Sequence, residues 1–423
     1  MLELDAKKYC DAVLKNFMKK SQTIVKSMKN GPDGVTSENA KQAFSGDLVT
    51  RGNTDFELFH YNADLIEFYP QLENDPVEDC YLWSYFATTG MLYHACQAGF
   101  DYFHAFKEFI DGLAYYRSSP WMDDTMVKYH SARGKTANGG HGDCFFDDNI
   151  WVARNLLFAY ELLGDIAYLE EAQRVVAYVY TGWNNELQGL VWNERGLTEE
   201  GTAQELERGL SANACSILVS AKLYIITADK NYLDWAHRFY NFCKTIQDPN
   251  TGIYYNGVHT ILDNGVRRAG DVNKDLYAYN SGSMILANLE LYKVTEDAIY
   301  LEDAIKAAKA THIAHLRNAD ISYYHDFTWF FAVYMEGCYA LGKHELGIDC
   351  VAVVFDTLAK ALNYAKKHES PDGLLPHDYV NGWRDNASAH TPVNYYDRVL
   401  LTHSGTAEII ALVDAWYRNS ELR

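Results

Sequence analysis

The chain has few positive charges and no pattern that would take it to a membrane. Lys and Arg number 37 against 57 Asp and Glu in 423 residues, and the formal net charge is −20. Such a chain repels phosphate backbones and anionic lipids, so neither nucleic acid nor a membrane is an expected partner. The amino terminus, MLELDAKKYCDAVLKNFMKK, lacks the basic region and apolar block of a signal peptide, and no apolar run approaches the length of a membrane span. We therefore expect a cytoplasmic protein.

The signatures of cofactor and metal chemistry are also missing. The eight cysteines are scattered without a C-x-x-C pair, which favours reduced thiols over a disulfide framework or a zinc site. The chain has no Walker A motif, no G-x-S-x-G elbow and no H-E-x-x-H helix. We predict no cofactor and no metal. The oligomeric state is left open.

A repeated helical pattern is present instead. Three segments, GDIAYLEEAQRVVAYV, ADKNYLDWAHRFYNFC and EDAIYLEDAIKAAKAT, each place an Asp three residues before Tyr-Leu and an Ala further on. This spacing predicts a helix capped by the Asp, with Leu and Ala on its buried face. The capping residues are Asp165, Asp229 and Asp297.

Each of these helices follows another apolar helix and a short turn, and is followed by a long loop containing Gly and aromatic residues. Weaker copies of the pair begin at Tyr81 and Phe327, and the last helix would pair with the amino-terminal one. Six hairpins of roughly 65 residues use about 390 residues, which nearly exhausts the chain. We therefore predict an all-α protein with a single (α/α)6 barrel domain spanning residues 1–423.

The stretch GHGDCFFDDNIW places Asp147 and Asp148 at the start of an inner helix of this barrel. An Asp-Asp pair at a helix start is usually a cap and a first-turn acid that complements the helix dipole. Asp123 and Asp124, in PWMDDTM, keep that interpretation because no comparable helix follows them. The second pair differs because it follows a Gly-rich, aromatic loop and faces the barrel axis, where a ligand could reach it.

Two neighbouring carboxyl groups in partial burial cannot both ionise easily, so one pKa is expected to rise. Glycoside hydrolysis needs this arrangement, with one carboxylate as nucleophile and one carboxylic acid to protonate the leaving oxygen. Consecutive Cα atoms lie about 3.8 Å apart, which suits the short carboxyl separation of retaining enzymes better than the wide gap of inverting ones.

The sequence resembles glycoside hydrolase family 76, the endo-α-1,6-mannanases. The resemblance rests on FFDDNIW, GLVWNERG, LSANACSILVSAKLY and LYAYNSGSMILANLELYKVTEDAIYLEDA, and is clearest from about Gly142 to His312. It implies an (α/α)6 barrel that hydrolyses α-1,6-linked mannosides, with Asp147 as nucleophile and Asp148 as general acid/base. It also implies that Trp83, Trp192, Asn213, Tyr279, Asn280 and Gly282 bind substrate. We add Phe146, which lies beside the pair, to these predicted substrate-binding residues.

Other interpretations stay open at this stage. Each Trp could belong to the core, Asn213 and Asn280 could be helix caps, and His141 and Asp143 could either line the site or shape its loop. The runner-up function is a sugar epimerase or isomerase on the same barrel, which would need a His acid/base system. A third is a glycan-binding protein that has lost catalysis.

Overall fold

The computed structural model describes residues 2–19, 58–59, 80–118, 125–132, 142–318, 322–324, 326–376 and 400–420. Within these ranges the chain forms twelve α-helices. They are α1 (Ala6–Phe17), α2 (Leu82–Gln97), α3 (Phe103–Gly112), α4 (Phe146–Leu163), α5 (Ile166–Thr181), α6 (Leu210–Thr227), α7 (Lys230–Lys244), α8 (Ala278–Thr295), α9 (Ala298–His315), α10 (Thr328–Leu341), α11 (Glu345–Ala365) and α12 (Leu400–Ser420).

Six of these helices close into an inner ring. The helices α2, α4, α6, α8, α10 and α12 each pack on the next, and α12 packs back on α2. Most of each inner helix is buried; in α2, for example, only Trp83 and Gln97 are not. The remaining helices lie outside the ring, and α1 packs on α12 and α2, as the sequence predicts. The (α/α)6 barrel is confirmed.

The repeated Asp residues begin the outer helices as predicted. Each accepts a hydrogen bond from the backbone N–H two residues later, so each is a true N-cap. The residue before each Asp ends the preceding inner helix with a left-handed φ of 73°, 58° or 57°. This conformation lets an inner helix turn into an outer helix within two residues. The residues concerned are Gly164, Ala228 and Glu296.

Because the tight turns lie at one end of the barrel, the long connections and all the inner-helix starts meet at the other. A three-stranded antiparallel sheet lies among these connections, in the order β3 (Arg208–Gly209), β4 (Gly257–Asp263) and β5 (Val266–Asn273). The sequence analysis expects turns or short hairpins in these loops, and β4 and β5 form such a hairpin. The signal for a hairpin is Asn264-Gly265, where φ values of 49° and 79° make the two-residue turn that joins β4 to β5.

Two smaller strand pairs complete the described structure. The strand β1 (Met18–Lys19) pairs with β2 (Leu58–Phe59), and β6 (Leu316–Asn318) pairs with β7 (Ser322–Tyr324). Helix α6 is long and apolar enough to cross a membrane by length and composition, contrary to the expectation that no segment is. Because 72% of that segment is buried among the other inner helices, the same composition fits a core helix.

Candidate active site

The two aspartates lie in the first turn of α4, at the open end of the barrel. The helix begins at Phe146 and its N-cap is Phe145, whose side chain makes no capping hydrogen bond. Asp147 and Asp148 are therefore the second and third helical residues, and the interpretation of the first one as a cap is wrong. Both side chains are partly buried. The position still favours negative charge, because the N-terminal end of a helix carries a partial positive charge.

The two carboxyl groups have different surroundings. One oxygen of Asp147 accepts a hydrogen bond from the backbone N–H of Asp148 (2.8 Å), and the other accepts one from the indole Nε1 of Trp192 (3.0 Å). Among the residues that the structure describes, the Asp148 carboxyl accepts no hydrogen bond from a protein group. Hydrogen bonds to a carboxylate stabilise its charged form, so the contacts favour ionisation of Asp147 over Asp148.

The pKa shifts of the two carboxyl groups agree with this difference in hydrogen bonding. Burial raises the pKa of Asp147 to about 6, and the hydrogen bonds from Asp148 and Trp192 keep it from rising further. Burial also raises the pKa of Asp148 well above its usual range, and the charge of Asp147 raises it more. The pair therefore holds a proton more readily on Asp148, and Asp147 is the first of the two to ionise as the pH rises.

Trp192 is held against the start of α4 by the backbone. The N–H of Phe146 donates to the carbonyl oxygen of Trp192 (3.0 Å), and Phe145 forms a bridge with Asn193. The rings of Phe145 and Trp192 lie 4.8 Å apart between centroids. The indole therefore approaches Asp147 from a loop that is paired with the helix that carries the carboxylate.

Two buried asparagines fix the loops around the helix starts. The side-chain amide of Asn149 bonds to both backbone groups of Tyr129 and to the carbonyl of Phe145. Asn213, at the equivalent position in α6, bonds to both backbone groups of Leu190 and to the carbonyl of Gly209. Asn213 is 0% exposed, so these bonds give its side chain a structural role, and its contact with substrate stays a prediction.

Aromatic side chains from three inner helices lie at the barrel mouth. Trp83 of α2 and Tyr279 of α8 both stack on Phe330 of α10, with centroid distances of 5.8 and 4.2 Å. Burial raises the pKa of Tyr279, and the charge of Asp147 raises it further, which places its hydroxyl within electrostatic reach of the pair. Trp83, Trp192 and Tyr279 are only partly buried, so the structure allows their predicted contact with substrate.

Three other residues predicted to bind substrate have structural contacts. Phe146 is 1% exposed and its ring packs on Tyr178 of α5, so it supports the pair from the core. Gly282 allows α8 to approach α10, because a Cβ there would lie 2.6 Å from the Cα of Tyr334. Asn280 is 0% exposed and donates to the side chain of Asn256, at 3.2 Å. All three are buried, so the described contacts give them roles in packing and in holding loops, and their contact with a sugar stays a prediction.

The loop before α4 also has a structural role. Asp143 accepts a hydrogen bond from Asn193 (3.3 Å) and lies 3.7 Å from the guanidinium of Arg195. These contacts favour the interpretation that Asp143 shapes the loop. His141, Asp123 and Asp124 lie outside the described residues.

A second group of charged residues lies deeper in the barrel. His94, Glu336 and Glu408 place one ligand atom each within 4.8 Å of one another, the spacing of a possible metal site. Arg154 already pairs with Glu336, and its guanidinium lies over the rings of Trp151 and Phe158. The guanidinium already supplies the positive charge that a metal ion would bring, so we interpret the group as a buried ion network. The expectation of no metal remains a prediction.

The sequence matches the family model described as Glycosyl hydrolase family 76 over residues 61–327. The chain belongs to glycosyl hydrolase family 76. It is thus a glycoside hydrolase, a class of enzyme whose chemistry commonly uses two carboxyl groups.

Solved structures share the fold of this family 76 chain. A family 76 mannosidase from Bacteroides thetaiotaomicron is 19% identical with a TM-score of 0.69, and the match covers 98% of each chain. A family 76 α-1,6-mannanase from Salegentibacter sp. is 16% identical with a TM-score of 0.63, over 98% of both chains. An inactive variant of that enzyme, with two consecutive aspartates changed to asparagine, was solved with α-1,6-mannotriose. No curated protein matches the chain.

The sequence analysis missed other aromatic residues at the mouth. Phe330 joins Trp83 to Tyr279, and it is accompanied by Tyr277 and Phe327. Their signal is the run DFTWFF at the start of the fifth inner helix, which carries aromatic residues where the second inner helix carries its aspartates.

Proposed function

We propose that this glycoside hydrolase cleaves α-1,6-linked mannose oligosaccharides or polysaccharides with retention of configuration, using Asp147 as nucleophile and Asp148 as general acid/base. The observation that supports the proposal most directly is the difference in hydrogen bonding between the two carboxyl groups. Asp147 accepts hydrogen bonds from the Asp148 N–H and the Trp192 indole, whereas Asp148 has no such donor among the described residues. The Salegentibacter enzyme, an α-1,6-mannanase that is inactive without two consecutive aspartates, supports the same assignment.

In the first step, a carboxylate oxygen of Asp147 attacks the anomeric carbon from the face opposite the leaving group. The glycosidic C–O bond breaks, and Asp148 gives its proton to the departing oxygen. Trp192 holds the Asp147 carboxylate in place. The products are a β-linked glycosyl ester on Asp147 and a free alcohol on the leaving sugar.

In the second step, the Asp148 carboxylate takes a proton from water while the water oxygen attacks the anomeric carbon. The ester bond to Asp147 breaks, which regenerates its carboxylate and returns the proton to Asp148. The product carries the α configuration of the substrate. NMR of the first-formed product tests this step, and a β anomer would contradict retention.

Azide can assign the two roles separately. With Asp147→Ala and an activated aryl α-manno-oligoside, azide takes the place of the missing nucleophile and should give a β-glycosyl azide. With Asp148→Ala the glycosyl ester still forms, so azide should attack it from the other face and give an α-glycosyl azide. If Asp147→Ala gave the α-glycosyl azide and Asp148→Ala the β-glycosyl azide, Asp148 would be the nucleophile and Asp147 the general acid/base. Asp229→Asn, a substitution at an outer-helix N-cap where Asn caps equally well, is the matched control and should behave as the unaltered enzyme.

Mass spectrometry of the products from defined manno-oligosaccharides separates hydrolysis from the other two candidates. Hydrolysis adds one water and shortens the chain, isomerisation leaves the mass unchanged, and a binding protein releases nothing. A double variant, Asp147→Asn with Asp148→Asn, that keeps full activity would exclude the proposed mechanism.

We also propose that the protein acts in the cytoplasm. All eight cysteines are buried thiols that lie outside any disulfide, which fits a compartment that keeps thiols reduced. Cell fractionation with an antibody against the native protein tests this location, and recovery outside the cytoplasmic fraction would contradict it.

A further inference from the structure

The starts of α8 and α10 present apolar side chains outward at the barrel mouth. Phe327 is 47% exposed and Leu276 is 39% exposed, while Tyr277 and Phe330 are partly buried. Single exposed apolar residues are ordinary on protein surfaces, but a contiguous group at the rim of a cleft is characteristic of binding sites. Some exposed apolar residues, such as Ile166, lie on outer helices, and others, such as Ile261 and Val266, lie on the hairpin of β4 and β5.

Ring contacts connect this group to the site. Tyr279 stacks on Phe330 with a centroid distance of 4.2 Å and an interplanar angle of 12°. Phe330 in turn contacts Phe327 and Tyr277, both at 5.4 Å and nearly at right angles. The rings therefore form a continuous surface that leads from Tyr279 to the exposed edge of the mouth at Phe327.

A buried carboxylate fixes the two helix starts relative to one another. One oxygen of Asp326 accepts a hydrogen bond from the N–H of Ala278, the first residue of α8, at 2.5 Å. The other accepts one from the N–H of Phe327, the N-cap of α10, at 2.7 Å. The aromatic residues on the two helices are thus held in place before any ligand binds, which lowers the entropic cost of binding.

We propose that Leu276, Tyr277, Phe327 and Phe330 form a distal platform that binds a sugar unit of an oligomannoside beyond those next to the catalytic pair. This inference rests on the proposed function. Aromatic faces suit the C–H faces of sugar rings, and the apolar side chains contribute by burying area. The platform gives the enzyme a preference for longer chains, because a short oligosaccharide bound at the pair does not reach Phe327.

The test compares Phe327→Ala with Phe103→Ala. Phe103 is a matched control, since it is 45% exposed and begins the outer helix α3, at the opposite end of the barrel. The measurement is the ratio of kcat/KM for α-1,6-mannohexaose to that for α-1,6-mannotriose. Phe327→Ala should lower this ratio roughly 3- to 10-fold, the loss expected for one aromatic contact. Phe103→Ala should leave it unchanged.

A binding measurement separates the platform from the proposed activity. Calorimetry with Asp147→Asn, alone and combined with Phe327→Ala, gives the Kd for both oligosaccharides, and the hexaose should lose affinity by the larger factor. If the unaltered enzyme cleaves the oligosaccharides but Phe327→Ala changes neither the kcat/KM ratio nor the Kd, the platform is overturned and the proposed activity stands. Length-dependent binding without turnover would overturn the activity alone. Equal losses on both oligosaccharides, or no binding of either, would also overturn the platform.

Discussion

The inner ring holds two pairs of carboxyl groups that differ in their neighbours. At the mouth, Asp147 and Asp148 lie side by side, and the donors to Asp147 are a neutral indole and a backbone N–H. Deeper in the barrel, Glu336 pairs with Arg154, and His94 lies between the two glutamates, 3.6 Å from Glu336 and 3.4 Å from Glu408. Both pairs are largely withdrawn from water, but only the deeper one has cations.

The cations determine what each pair can do. Burial alone would raise the pKa of Glu336, but the charges of Arg154 and His94 hold it near 2. Burial raises the pKa of Glu408 to about 7, against the opposing charges of His94 and Arg154. A carboxylate with a pKa of about 2 cannot exchange a proton near neutral pH, so Glu336 serves structure. The pair at the mouth has no such cation, so burial raises the pKa of both carboxyls, as the proposed catalytic role requires.

The largest expected effect is on activity at the mouth. Asp147→Asn removes the nucleophile and should lower kcat by roughly 10³- to 10⁵-fold while leaving the protein folded. Steady-state kinetics on α-1,6-mannohexaose with a circular dichroism spectrum measures both properties. Asp229→Asn provides the control at a helix start. Retained activity in Asp147→Asn would contradict the assignment of the mouth pair as catalytic.

The deeper pair should respond in stability instead. Arg154→Met leaves Glu336 buried without its main cation, and breaking such a pair costs about 3 to 5 kcal/mol of unfolding free energy. Urea unfolding measures the loss. Adding Glu336→Gln to Arg154→Met removes the unpaired charge and should recover part of the stability. If the double variant is as unstable as the single one, the ion pair is not the cause.

The indole of Trp192 should control the acid limb of the pH profile. The mechanism needs Asp147 ionised and Asp148 protonated, so kcat/KM should fall below about pH 6, as Asp147 becomes protonated, and fall again at high pH as Asp148 ionises. Trp192→Phe removes a hydrogen bond that lowers the pKa of Asp147, so the acid limb should move up by roughly 0.5 to 1 pH unit.

A tryptophan whose indole makes no such hydrogen bond serves as the control for this shift. The indole N–H of Trp183 has no hydrogen-bond partner within the described part of the chain. Trp183→Phe should therefore leave the acid limb where it is. An equal movement in both variants would show that the hydrogen bond to Asp147 is not responsible.

The smallest effect concerns the stability cost of the mouth pair. Folding raises the pKa of Asp148, so this carboxyl binds its proton more tightly in the folded protein than in the unfolded chain. Its contribution to the free energy of unfolding is therefore complete below the pKa of the unfolded chain. That contribution is lost as the pH rises through the pKa of the folded protein. Asp148→Asn removes this loss, and its Tm should exceed that of the unaltered protein by roughly 1 to 3 °C at pH 8. The difference should shrink at pH 4; a constant difference, as expected of Asp229→Asn, would contradict this origin.

The helical repeat was predictable because each hairpin carries its own local signals. Asp165, Asp229 and Asp297 cap their helices as expected, and the apolar spacing identifies both members of each hairpin. The position of the catalytic candidates followed from the same repeat. The hairpin of β4 and β5 had a local signal too, the Asn-Gly turn.

The roles of the residues around the pair were not predictable in this way. Asn213 and Gly282 lie on motif positions, yet one bonds to a neighbouring loop and the other allows two helices to approach each other. The sequence analysis expects Phe146 to bind substrate and does not single out Phe330, yet Phe146 is 1% exposed and Phe330 is only partly buried. Which way a side chain faces at an inner-helix start depends on its neighbours in the ring, and these come from distant hairpins.

The sequence by itself determined the hairpins, their caps, the ring that six of them form and the place of Asp147 and Asp148 at the start of an inner helix. Those features depend on periodicity and on contacts between residues a few positions apart. The tertiary structure decided which carboxyl is ionised, because that depends on a donor 45 residues away, Trp192. It also decided that Glu336 serves structure, since Arg154 reaches it across 182 residues of sequence and supplies the cation that the mouth lacks.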